Sequence, residues 1–168
     1  MSYFIFGTFD MIDNESEEIL QSLKEYGKEK DIYIWFNEEI AFYKEIPIML
    51  KEQNAEGNIK FAVTSLCQPR NSSDLLFPFD KINSEVLFAD KTRKYFEKCC
   101  KDNISILINY LKKIKKLYNI EHWKVFIVEG YDDIFKKKIC NIDEMEKDLL
   151  QQIQNNMSIE SCVYHIYK

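Results

Sequence analysis

Trp-Lys-Val-Phe-Ile-Val-Glu, residues 123–129, is apolar on both alternating faces apart from Lys124. A strand with one wetted face alternates apolar and polar residues. A run that is apolar throughout belongs in the middle of a sheet, covered above and below. Upstream lies the strongest periodic signal in the chain. Phe96, Cys99, Cys100, Ile104, Leu107, Leu111, Ile114 and Leu117 recur at three- and four-residue steps. That spacing predicts one long helix over about 90–118, either continuous or broken near Asp102-Asn103. Downstream, Asp143 and Glu146 have the spacing of a capping box for a helix carrying Met145, Leu149, Leu150 and Ile153. Ser161–Tyr167 reads as a closing strand.

The first half adds further elements. Tyr3–Phe9, Asp31–Phe36 and Ile59–Leu66 are rich in aromatic and β-branched residues and read as strands. Asn14 with Glu17 resembles a helix opening, followed by Ile12, Ile19, Leu20, Leu23 and Tyr26 on one stripe and Gly27 near the end. Residues 39–46 alternate loosely through Ile40, Phe42 and Ile46 and are expected to form another strand. Pro47 either ends that strand or opens a short helix through about Gln53. Residues 68–79 are turn-rich and then apolar, the longest irregular stretch. Together these elements predict one α+β (or α/β) domain over residues 1–168. Its mixed sheet has about five or six strands, with packed helices.

At 168 residues and 46% hydrophobic content the chain can build a core unaided. Its four glycines, Gly7, Gly27, Gly57 and Gly130, are too scattered for a glycine-rich phosphate loop, and no nucleophile elbow, HExxH zinc-binding helix or DxDxDG calcium loop occurs. Five cysteines, Cys67, Cys99, Cys100, Cys140 and Cys162, form no CxxC pair and an odd count, which fits reduced thiols better than a disulfide framework. The opening Met-Ser-Tyr-Phe-Ile-Phe-Gly has no basic leader, and no apolar run approaches a membrane span. A cytoplasmic location is therefore expected.

Charge is unevenly distributed. Residues 1–80 carry 7 basic and 15 acidic side chains, a net −8, whereas residues 81–118 carry 10 and 4, a net +6. The acidic half disfavours nucleic acid as a partner, because phosphate binding needs clustered cations. It also interleaves carboxylates with aromatics. Asp10, Asp13, Glu15, Glu17, Glu18, Glu25, Glu38 and Glu39, with Tyr33, Trp35 and Tyr43, are the candidate partner-binding set. Aromatic anchors supply contact energy, and carboxylates steer a basic partner. The plainer reading of the same residues is a solvated surface.

Other candidates have equally plain alternatives. Cys99 and Cys100 are neighbours on a helix, do not face each other, and suit core packing better than metal ligation. Asp132 and Asp133 follow the central strand, where α/β enzymes often place a base or metal, yet Gly-Tyr-Asp-Asp is also good turn chemistry. His165 shares a strand face with Val163 and Tyr167, and His122 stands at a strand start. The lysines at 112, 113, 115 and 116 read as a solvated helix face that also complements the helix dipole. No cofactor or metal is expected.

Size, acidity and the missing catalytic motifs together resemble the immunity proteins of bacterial toxin–immunity systems, including those of contact-dependent growth inhibition. The resemblance is at class level and carries no residue-by-residue site. It implies an acidic protein, monomeric in a one-to-one complex, that covers the active site of a cognate basic toxin domain such as a nuclease. The alternative is a small cytosolic hydrolase or transferase using Asp132, Asp133 and a histidine.

Overall fold

The apolar run 123–129 lies inside β4, Glu121–Glu129, which pairs with β1, Tyr3–Asp10, to form the centre of the sheet. The computed structural model describes residues 3–11, 17–30, 32–42, 44–55, 57, 59–65, 90–118, 120–129, 136–156 and 158–167. Among them are β2 (Ile32–Phe36), β3 (Ile59–Ser65), β5 (Lys136–Cys140) and β6 (Cys162–Ile166). The helices are α1 (Glu17–Glu29), α2 (Glu45–Glu52), α3 (Asp90–Tyr118) and α4 (Ile142–Asn156). The six strands form one open mixed sheet in the order β2-β3-β1-β4-β6-β5. Every pairing is antiparallel except β5 with β6. The fold is α+β.

The two faces of β4 serve two cores. Trp123, Val125 and Ile127 join Ile5 and Phe9 of β1, and Leu23, Ile104, Leu107, Met145 and Leu149 from α1, α3 and α4 close over them. On the other face Phe126 and Val128 join Phe6, covered by Ile40, Ile46 and Leu50. Phe6 and Phe126 stack at 5.0 Å. Gly7 lets β1 and β4 approach here: a Cβ at this position would lie 2.0 Å from the Lys124 carbonyl oxygen. Near the end of the pair, His122 and Trp123 stand opposite the single residue Phe9, and His122 takes a φ of 49°. This bulge turns Trp123 into the main core, against the edges of Phe9 and Phe61.

Three expectations are corrected, and the long helix, left open between continuous and broken, is continuous. Residues 39–46 are not a strand: Asn37, at a φ of 49°, turns the chain into a 3₁₀ helix over Asn37–Phe42, and α2 follows. Ile40 and Ile46 are buried in the second core from these two helical turns rather than along one strand. Pro47 sits in the first turn of α2, where its missing N–H costs no helical bond. α3 runs through Asp102-Asn103 unbroken for 29 residues. The cap of α4 is Asn141 with Glu144, not Asp143 with Glu146. The Asn141 Oδ1 accepts the Glu144 N–H and the Glu144 carboxylate accepts the Asn141 N–H, each at 2.9 Å. Asp143 and Glu146 instead hold Lys112 of α3, at 2.6 and 3.1 Å. Finally, β5 is a strand where none was expected. No helix among the described residues is long and apolar enough to cross a membrane.

Candidate functional site

β2 is the edge strand beside β3, and α1 leads into it through a short turn. The N–H of Phe36 is accepted by the Glu39 carboxylate at 3.1 Å, so Phe36 turns its amide away from β3. By strand alternation Ile32 and Ile34 do the same, while Tyr33 and Trp35 exchange bonds with Thr64 and Ala62. That outer edge is not open: Ile34 is only 3% exposed, and α1 lies close enough that a Cβ on Gly27 would come within 2.8 Å of the Ile32 carbonyl oxygen. Covering an edge with a helix is one way proteins prevent strand-to-strand aggregation.

The seam between α1 and this edge forms two adjoining grooves. The larger, about 530 Å³, is lined by Glu17, Glu18, Gln21 and Lys24 of α1 and by Phe36, Asn37 and Glu39. The smaller, about 200 Å³, runs on past Gln21, Lys24 and Lys28 to Tyr33, Ile34 and Trp35. Gln21, Lys24 and Lys28 follow Glu17 at steps of four, three and four, which places them on one helix stripe. Tyr33 and Trp35 stack on the opposite sheet face with ring centres 5.4 Å apart.

Of the expected set, Glu17, Glu18 and Glu39 therefore meet in one groove, with Tyr33 and Trp35 in the next. Glu38 is exposed one residue before Glu39. Asp10 ends β1 at the same end of the sheet, since its neighbour Phe9 pairs with Ile59 and Phe36 pairs with Phe61. Glu25 is exposed on α1 and accepts a hydrogen bond from Gln21 at 3.2 Å. Asp13, Glu15 and Tyr43 lie outside the described residues, as do Asp132 and Asp133.

The groove is less purely acidic than its sequence implies. Lys24 crosses it to bind Glu39 at 2.5 Å. Burial works to raise the Glu39 pKa, but the hydrogen bonds from Lys24 and the Phe36 amide outweigh it and hold the carboxyl below its usual range. Lys24 and Asn37 are among the site residues that composition alone missed. The first could be found from the helical stripe it shares with Glu17. The second could be found because Asn tolerates the left-handed turn that ends β2.

The remaining candidates fall elsewhere. His165 is half-buried on β6, and burial, Lys124 and Lys137 all push its pKa down. Its charged neighbours are thus cations, the opposite of a carboxylate that would orient and charge it as an acid–base group. Cys100 is buried in the main core, and burial pushes its thiol up to about 12, which suits packing rather than reactivity. The basic helix face is partly engaged: Lys113 lies 3.9 Å from the Tyr26 ring centre, and Lys115 donates to the Tyr167 carbonyl at 2.7 Å.

A cluster that the sequence did not announce joins α4 to the β5 edge. Asp148 accepts from Lys138 at 2.6 Å, from Tyr164 at 2.7 Å and from Gln152 at 2.8 Å. Gln152 in turn accepts the Glu160 N–H at 2.8 Å. The polar groups of this network are satisfied by one another, as buried polar groups in a fold should be. Among the described residues no group of three or more histidines, cysteines or carboxylates is placed to hold a metal ion. No protein-family model matches the chain, and no curated protein or solved structure matches it.

Proposed function

We propose that the chain is an immunity protein that binds and neutralises a basic toxin domain, such as a nuclease, by covering its active site. The observation that supports this reading is the convergence of Glu17, Glu18 and Glu39 with the stacked pair Tyr33 and Trp35 along one seam. Nuclease domains carry a positive field because their substrate is polyanionic. A partner with an acidic rim enters that field quickly, and aromatic side chains then hold the interface. In this reading the protein acts as a monomer in a one-to-one complex in the cytoplasm. The four cysteines among the described residues, Cys99, Cys100, Cys140 and Cys162, are free, which is compatible with a reducing compartment.

The test is recovery of the tagged protein from its native host at low salt, with and without Glu17→Lys, Glu18→Lys and Glu38→Lys. A stoichiometric basic protein is expected, released as salt rises and lost with the triple variant. Its activity should be toxic alone and blocked by the wild-type chain. A bound protein retained by the triple variant, or one whose activity is unaffected, would remove this surface and this role.

A further inference from the structure

The opposite edge of the sheet differs from β2 in one respect: none of the described residues lies over it. Tyr167 donates its N–H to the Cys140 carbonyl at 3.1 Å. In a parallel pair this fixes the alternation. Lys136, Lys138 and Cys140 direct their backbone groups at β6, and Lys137 and Ile139 direct theirs outward. Ile139 is 78% exposed, against 3% for Ile34 at the other edge. The outward N–H and C=O groups of Lys137 and Ile139 therefore have no partner among the described residues.

Among the described residues the unpaired charge around this edge has one sign on one face. Lys136 is ion-paired with Glu160, and Lys138 with Asp148. Lys137 has no carboxylate partner among the described residues, nor has Lys124, two strands away. Both cations act on His165, which stands between them on β6 opposite Ile139 and Lys124. The other face offers a groove of about 440 Å³ lined by Cys140, Glu144, Asp148, Tyr164 and Tyr167.

We propose that the free edge of β5 is a second docking site, at which an extended acidic segment of another protein adds as a seventh strand. Its backbone pairs with Lys137 and Ile139. Its carboxylates lie on the face of Lys137 and Lys124, and its intervening side chains turn toward the tyrosine-lined groove. A second copy of this chain fits poorly. Antiparallel self-pairing centred on Lys138 would set that lysine opposite its own copy and bring both lysine triplets into one short ladder, where opposed like charges destabilise. The lysines thus exclude like edges and select an acidic one. This site has the opposite sign to the α1–β2 seam and stands whether or not that seam binds a toxin.

The probe is a capped heptapeptide of alternating glutamate and valine, added to the isotopically labelled protein at low salt. Amide exchange at Lys137 and Ile139 should slow by at least about tenfold at saturation, with the Tyr164 amide unchanged. Ile139→Pro removes only an outward N–H from an exposed position, so the fold should be retained while peptide affinity falls about tenfold or more. N-methylation of alternate peptide residues should do the same without altering the protein. Equal affinity for the Pro variant or the methylated peptide, or equal binding of a lysine–valine peptide, would overturn the proposal. So would absence of any slowing. A concentration-dependent dimer that Ile139→Pro abolishes would assign the edge to self-association and overturn it as well.

Discussion

The Tyr110 hydroxyl donates to the Leu23 carbonyl at 2.9 Å, tying α3 to α1 across 87 residues of sequence. The Tyr110 ring also stacks on Tyr26 at 5.6 Å, and the Lys113 ammonium lies 3.9 Å from the Tyr26 ring centre. α1 carries half of the candidate binding seam, so this contact helps to hold the seam in place. Tyr110→Phe keeps the stacking and removes the donor. It should cost about 1 kcal/mol, the net value of one buried hydrogen bond. A urea titration should show a lower midpoint with an unchanged slope.

Gly7→Ala tests the closest approach in the sheet. The added Cβ would meet the Lys124 carbonyl oxygen at 2.0 Å and the Phe61 ring at 2.8 Å. The first neighbour is backbone in the central strand and cannot rotate away. Overpacking typically costs 1–3 kcal/mol. This position should reach about 3 kcal/mol or more, read as a large fall in thermal midpoint or in soluble yield.

The central strand and the long helix were legible because each carries its own period. β4 is apolar on both faces and α3 repeats at helical steps over many turns. β5 was not legible, because Lys-Lys-Lys-Ile-Cys has only two apolar residues and is a strand through its pairing with β6. Residues 39–46 read as a strand because Ile40, Phe42 and Ile46 share parity, and a short apolar run does not by itself separate a strand from helical turns. The acidic half was legible as composition. Its division was not: which carboxylates stay free and which, like Glu39, are held by a lysine depends on how α1 docks against β2.

That division has a consequence for mutagenesis. Glu39 accepts from both Lys24 and the Phe36 amide, so Glu39→Ala removes a local structural bond as well as a charge. It should cost about 1 kcal/mol of stability. Glu17 and Glu18 stand in the first turn of α1, where reversal to lysine costs only about 0.5 kcal/mol each through the helix dipole. A partner that loses affinity with the Glu17 and Glu18 reversals, at near-native urea midpoints, reads the seam directly. Loss with Glu39→Ala alone would report a displaced 3₁₀ turn.

Acid sensitivity should trace to Asp148. Burial raises its pKa, but the bonds from Lys138, Tyr164 and Gln152 prevail and hold the carboxyl below the ordinary value of 3.8. Tyr164 is shifted the other way, upward, by burial and by its bond to the same carboxylate, so it stays a donor across the working range. A depressed folded-state pKa means that the unfolded chain binds the proton more readily. The stabilisation is therefore complete above about 3.8, begins to fall as pH drops below that value, and is gone once pH passes the lower folded value. Asp148→Asn should cost about 1–3 kcal/mol at neutral pH, because Lys138 loses its counter-charge and one acceptor becomes a donor. The same variant should flatten the fall in urea midpoint between about pH 5 and pH 2. An unchanged pH slope in the variant would place the acid sensitivity on other carboxylates, Glu39 foremost, and leave Asp148 as a neutral packing element of the β5 edge.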